Sequence, residues 1–418
     1  MAASYPRQFG KYVLLKPLAK GGMGEIYVAA LGQIDGFDKL CVIKKVIPEK
    51  SDDGKAKRFL DEAKVVLRLA HSGLVNTFDA GQVEREFYIA MEMVEGKDLR
   101  EVWNRCVRVR HRIPIEVALH VAREVARALF YVHTYGELNL VHRDVAPPNI
   151  MLAYNGDVKL TDFGLARSAL KQEHTQPGVV FGRAAYLAPE QARGEVADPG
   201  TDVYSLAVVL WELLTGHQYL QISGLDPAAA LAMVRHPKPT PPSTRAPWVT
   251  PALDQVLMRA LATDRGKRFV SAEEFRLALS DAIVEAAPRT DAARVSELMH
   301  AIYQKAMAEE AAERERFLKE VLPSVRAAST PAPAPAPVRT PPPVPLSRRT
   351  EGRVDDGVSH RSSSRMPKMA APSTPGVQPV HGANDPDARK RVKREAAQKV
   401  LAELAAGAGE NEPATFRK

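Results

Sequence analysis

The order in which two periodicities appear along the chain constrains its fold most. Between residues 11 and 94 the sequence reads mostly as short alternating segments, "KYVLLKPLA", "EIYVAAL" and "LCVIKKVI", separated by Gly-bearing turns. This is the period-two signature of half-buried strands. One helical stretch, "KAKRFLDEAKVVLRLA" (55–70), interrupts them before "LVNTFDAG" and "EFYIAMEMV" resume strand character. The pattern then turns helical. "PIEVALHVAREVARALFYVHTY" (114–135) has Pro114 near its start, and further helices are expected near 201–216, 227–235, 251–262 and 271–286. Strands first and helices afterwards predict an α+β fold.

The chain is 418 residues long, more than one compact core usually supports. "TDAARVSELMHAIYQKAMAEEAAERERFLKEVL" (290–322) predicts a helical extension with an apolar stripe that packs on the body or on a partner. Residues 323–385 read as a Pro-rich, disordered linker, extended where "PAPAPAPVRTPPPVP" occurs. A basic helix is expected at 386–407, and 408–418 read as disordered. Charge follows this division. The whole chain holds 58 Lys+Arg and 50 Asp+Glu; residues from Pro323 onward hold 16 and 9 of them, leaving the body near neutral. The basic balance therefore concerns the tail's partners and not the chemistry of the body. No run of about 18 apolar residues predicts a membrane span. The first residues show no export signal, and the two cysteines are too few for a disulfide framework. A cytoplasmic protein with reduced thiols is expected.

Several segments carry chemistry. "AKGGMGEIYV" (19–28) follows the first strand, and glycines there let backbone N–H groups approach an anion closely. An ordinary hairpin turn would read the same way. "CVIKKV" puts Lys44 on an otherwise apolar strand, where an ammonium needs a partner; Glu62 on the following helix is within reach. "HRDVAPPN" offers Asp144 and Asn149, and "LTDFGLA" places Asp162 between a strand and a glycine. Aspartate plus asparagine suits hard oxygen ligation of Mg²⁺.

In their order and spacing these segments resemble the Hanks-type (eukaryotic-like) serine/threonine protein kinases of bacteria, over about residues 10–288. The family's glycine-loop pattern falls on Ala19, Gly21, Gly24 and Ile26, and its strand lysine and helix glutamate on Lys44 and Glu62. The catalytic-loop pattern falls on His142, Arg143, Asp144 and Asn149; D-F-G falls on Asp162, Phe163 and Gly164; A-P-E falls on Ala188, Pro189 and Glu190. The resemblance implies a bilobal kinase fold: a small antiparallel-sheet lobe with one helix (10–92) and a larger, mostly helical lobe (95–288). It implies ATP and Mg²⁺ as cofactors and proteins as substrates. Lys44 would contact the α/β-phosphates, Asn149 and Asp162 would hold the metal, and Asp144 would accept the substrate proton. Lys20, Gly22 and Met23 belong to the glycine loop. Met91 would be the gatekeeper, with the backbone of Glu92 and Val94 meeting the adenine. Asp202 would brace the catalytic loop, and Arg268 would pair with Glu190.

Four residues depart from the pattern. Ala19 replaces the first loop glycine, and Val42 replaces the alanine before the strand lysine, crowding the adenine roof. Ala146 stands where serine/threonine kinases carry a lysine, and Arg183 stands where they carry a threonine. Tyrosine kinases also lack that lysine, but their compensating arginine position is Pro148 here. The hypothesis is a relocated cation: Arg183 enters the space left by Ala146 and meets the γ-phosphate. Arg143 suggests an activating phosphate on the 165–187 segment, at Thr175 or Ser168. The alternatives are a nucleotide-binding pseudokinase scaffold and an adaptor whose tail recruits a protein. The basic segment "RKRVKREAAQKV" reads by default as a solvated basic face; binding of nucleic acid, an acidic membrane surface or an acidic protein face is the alternative.

Overall fold

The computed structural model describes residues 5–21, 24–31, 38–46, 63–136, 140–162 and 183–329, all within one compact unit. Gly22, Met23, Glu62, Phe163, Gly164, Ser168 and Thr175 lie outside the described residues, as do the 330–385 part of the linker, the expected helix at 386–407 and the final 408–418.

The small lobe is one antiparallel sheet of β1 (Arg7–Phe9), β2 (Tyr12–Gly21), β3 (Gly24–Leu31), β4 (Lys39–Val46), β5 (Thr77–Val83) and β6 (Glu86–Glu92), ordered β1-β2-β3-β4-β6-β5. Alternation along β4 decides what reaches the cleft. Cys41, Ile43 and Lys45 face a buried cluster with Phe9, Tyr12, Tyr27 and Tyr88, so Val42 and Lys44 face the opposite side. Lys45 is tolerated in that cluster because its ammonium lies 4.5 Å from the Phe9 ring centre and 2.8 Å from Glu86 Oε2. Of the helical stretch expected at 55–70, the described residues show helix at 63–66.

The larger lobe opens with β7 (Gly96–Asp98), which pairs with β8 (Ile150–Ala153), and β8 in turn pairs with β9 (Val158–Leu160). Gly96 permits this crossing, because a Cβ there would sit 2.1 Å from the Leu152 carbonyl oxygen. Helix α1 (Leu99–Arg108) was not foreseen. Its signal is nonetheless present: Asp98 caps it by accepting the Glu101 N–H, and Leu99, Val102 and Cys106 bury one stripe. Helices α2 (Ile115–His133) and α4 (Pro199–Thr215) form the centre of the core, with the single turn α3 (Pro189–Ala192) and α5 (Pro227–Arg235), α6 (Pro251–Ala260) and α7 (Ala272–Ala286) around them. Almost every residue of α4 from Thr201 to Thr215 is buried, which accounts for its continuous apolar run.

Helix α8 (Ala292–Arg316) occupies the expected extension, continues through a π-helical turn, Phe317–Val321, and ends in α9 (Leu322–Ser329). The expected boundary at 322 is therefore too early; helix extends through the first residues assigned to the linker. Pro323 does not stop it, since the first turn of a helix needs no N–H from that residue.

Candidate active site

The cleft between the lobes encloses a cavity of about 480 Å³, within the usual range for small-molecule sites. Ala19, Ile26, Val28 and Val42 line it from the sheet, and Val75, Met91, Val94 and Met151 add apolar surface. Lys44, Glu92 and Asp162 supply charge. Lys20 is not among the lining residues; its ammonium points out to Glu25, 2.8 Å away, and its side chain is 80 % exposed. Ala19 lies on β2 opposite Ile26 without a positive φ, whereas Gly24 has φ 132, a backbone only glycine adopts easily. The Glu92 N–H donates to Asn76 O at 2.9 Å, so a base contact from its backbone falls to the carbonyl.

Lys44 Nζ lies 2.6 Å from Asp162 Oδ1. Burial pushes the Asp162 carboxyl up, but Lys44, Arg183 and His142 outweigh it and hold the group below the usual aspartate range. Asp162 has φ 61 and Arg143 φ 67, two non-glycine residues in the left-handed region on either side of one site. Such backbone costs about 1–3 kcal/mol each and persists where surrounding structure enforces it.

That enforcement is visible. Buried Asp202 accepts the backbone N–H of His142 and of Arg143, both at 2.7 Å, and lies 2.8 Å from His133 Nε2. His142 Nε2 reaches Thr161 O at 3.0 Å, and the Thr161 N–H donates to Asn149 O at 2.9 Å. The loops bearing Asp144 and Asp162 are thus tied together beneath the cleft.

Pro147–Asn149 form one 3₁₀ turn, and the two prolines preset its φ. The turn directs Asn149 Nδ2 to Asp144 O (2.8 Å) and Asp144 Oδ2 (2.9 Å). Arg183, 39 residues further on, donates through Nη1 to Asp144 Oδ2 at 2.8 Å and through Nη2 to Asn149 Oδ1 at 3.3 Å. Ala146 is 1 % exposed and belongs to the apolar core. Lys44 and Asp162, and Asp144, Asn149 and Arg183, are thus held in two bonded groups that share one set of tied loops. Asn149 Oδ1 and the Asp162 carboxylate are the hard-oxygen type that suits a divalent cation. Below the site, Arg268 makes a forked pair with Glu190, 2.8 and 2.9 Å, both side chains fully buried.

Sequence reasoning missed Val75 and Met151, which reach the cavity from distant segments, and it missed Glu310, Glu313, Arg314 and Phe317, which close its outer edge. The only sequence signal for this last group is the amphipathic stripe of the extension, which says that α8 packs but not where.

The profile of the family described as "Protein kinase domain" matches residues 12–276. Similar proteins include the tyrosine-protein kinase MasK of Myxococcus xanthus, 33 % identical over 381 residues, covering 90 % of this chain and 58 % of MasK. The serine/threonine-protein kinase PknB of Mycolicibacterium smegmatis is 36 % identical over 299 residues, covering 69 % of this chain and 46 % of PknB. The chain thus spans less than two thirds of the length of either relative. Among solved structures, the PknI kinase domain of Mycobacterium tuberculosis is similar with a TM-score of 0.53 and 30 % identity, covering 68 % of this chain and 100 % of that one.

Proposed function

The chain belongs to the protein kinase domain family, and on that premise we propose that it transfers the γ-phosphate of ATP to serine and threonine hydroxyls of proteins, itself included. The observation that carries this is the pair of hydrogen-bonded groups, Lys44–Asp162 and Asp144–Asn149–Arg183, held together by the bonds that tie His142, Thr161 and Asn149.

Each residue has a task that its environment suits. The Lys44 ammonium draws the α/β-phosphates toward the sheet. Asn149 Oδ1 and the Asp162 carboxylate would hold Mg²⁺, which would supply charge neutralisation. The Asp144 carboxylate, its Oδ2 held by Asn149 and Arg183, orients the incoming hydroxyl and takes its proton. Arg183 supplies the cation that the catalytic loop lacks at Ala146, and its planar fork matches phosphate oxygens. The apolar walls at Val28, Val42, Met91 and Met151 take the adenine. An intact Lys44–Asp144–Asn149–Asp162 set speaks for a working enzyme over a scaffold.

A tyrosine acceptor is the second reading. Alanine at position 146 favours it, as does the likeness to MasK, which is a tyrosine kinase by name. Phosphorylation of Thr175 or Ser168, a tail-binding protein partner, and nucleic-acid or acidic-surface binding by the basic segment are further parts of the proposal. A cytosolic setting is another. It is supported by the two cysteines, Cys41 and Cys106, both of which are free thiols. Among the described residues no helix is long and apolar enough to cross a membrane.

The test is incubation of the full chain with Mg²⁺ and γ-labelled ATP beside an Asp144→Asn control, followed by phosphoamino-acid analysis. Labelled phosphoserine or phosphothreonine, absent from the control, is expected. Label on tyrosine alone selects the second reading, and no label in either sample refutes both.

A further inference from the structure

Helix α8 does more than pad the larger lobe. Its first half buries Val295, Leu298, Met299, Ile302 and Tyr303 in the main core, at the spacing of one helical stripe. At about 1.5 Å per residue, the remaining turns carry it along the cleft. There Glu310 lies 2.6 Å from Lys97 Nζ and accepts from the Tyr154 hydroxyl at 2.9 Å, both in the larger lobe. Arg314 lies 2.7 Å from Glu95, in the connection between the lobes. Glu313 pairs with Lys16 of β2, in the small lobe. One helix therefore grips both lobes and the hinge within five residues.

The π-helical turn completes the grip. In an α-helix, residues five apart point about 140° away from each other. The π-turn bonds the Leu322 N–H to Phe317 O and brings both side chains to one face. That face is small-lobe surface: Phe317 (4 % exposed) and Leu322 (2 %) pack with Leu15, Val28 and Ala30. Val28 and Phe317 also line the cavity that holds Lys44 and Asp162. The cavity stays open with this segment in place, so the segment frames the site without plugging it.

We infer that the segment from Glu310 to Leu322 is a strap that sets nucleotide affinity. Phe317 is its anchor on the small lobe, and Glu310, Glu313 and Arg314 are positioning residues that hold the lobes at binding distance. This rests on the ATP-site reading above. When only a fraction of molecules holds the binding-competent lobe arrangement, apparent affinity falls by that fraction. A strap fastened at both ends keeps that fraction near one.

The test uses the full chain and ADP with Mg²⁺. Phe317→Ala is expected to raise the ADP dissociation constant and the KM for ATP about tenfold, a larger change in KM than in kcat. Phe317→Leu should recover most of the affinity. Lys16→Glu and Glu313→Lys should each weaken ADP binding by about twofold to threefold, as partly exposed pairs do, and the charge-swapped double variant should restore it. These surface changes keep the inference testable if Phe317→Ala does not fold. Unchanged ADP affinity in folded Phe317→Ala, or single and double charge variants alike in affinity, overturns the strap while the unaltered chain still binds ADP. Failure of the unaltered chain to bind ADP overturns the nucleotide reading itself, and the strap with it.

Discussion

Arg183 Nη1 donates to Asp144 Oδ2 at 2.8 Å, which joins the chain at 183 to the residue we propose as acceptor of the substrate proton. A positive charge thereby sits beside Asp144 although residue 146 is alanine. Arg183→Ala is expected to slow phosphoryl transfer by roughly 10²–10³-fold, the usual effect of losing one charge-stabilising donor. Arg183→Lys should fall between, keeping charge without the fork. Initial rates with labelled ATP measure both, and near-normal transfer by Arg183→Ala would refute the role.

Val42 fills the roof of the cleft beside Met91 and Val28. Trimming it to alanine should relieve crowding of about 1 kcal/mol, tightening ADP binding about fivefold. Titration calorimetry reads this directly. Weaker binding would show that Val42 instead supplies useful contact with the base.

Breaking the Arg268–Glu190 pair leaves a buried charge alone. Arg268→Ala should lower unfolding free energy by about 3–5 kcal/mol, seen as an earlier denaturation midpoint. Replacing both members together, as Arg268→Met with Glu190→Leu, should cost markedly less, because neither change then strands a charge.

Acid and neutral pH should expose two glutamates of opposite sign. Burial alone would raise the Glu190 carboxyl, but the bond to Arg268 brings it below its ordinary value. Its stabilising contribution is complete above about pH 4.3, the unfolded value, and is lost as pH falls through the folded value. Glu190→Gln should remove that part of the acid-side slope. Burial pushes the Glu212 carboxyl up, despite hydrogen bonds from Tyr186 (2.7 Å) and the Tyr219 N–H (3.0 Å). Its ionised form therefore costs stability as pH rises from the unfolded value through the folded one. Glu212→Gln should gain stability relative to the unaltered chain over that same rise. Thermal unfolding across pH checks both, and parallel curves for all three proteins would contradict the assignment.

Much of the fold and site was legible because its information is local. Lys44, Asp144, Asn149 and Asp162 each stand in a short segment whose strand, loop or turn character is set by neighbouring residues. The period-two alternation of β4 separates Lys44, facing the cleft, from Lys45, facing the aromatic cluster. Helix α1 escaped notice because its stripe is only three residues long and begins directly after a short strand. Val75 and Met151 were invisible for another reason: they line the cavity only because chain segments far apart in sequence meet there. The destination of α8 belongs to the same class. An apolar stripe predicts burial, while its partner surface is the larger-lobe core, and the β2 and β3 face that Phe317 and Leu322 cover lies nearly the whole domain away in sequence.

That separation has a price in time. Lys16 and its partner Glu313 stand 297 positions apart, and Phe317 and Leu322 cover the Leu15–Val28–Ala30 face from a similar distance. Ribosomes add about 5–20 residues per second, so the Leu15–Val28–Ala30 face waits roughly 15 to 60 s for its cover to be synthesised. During that interval the face lacks its apolar cover, and Lys44, Asp144 and Asp162 are synthesised well before the wall that frames them.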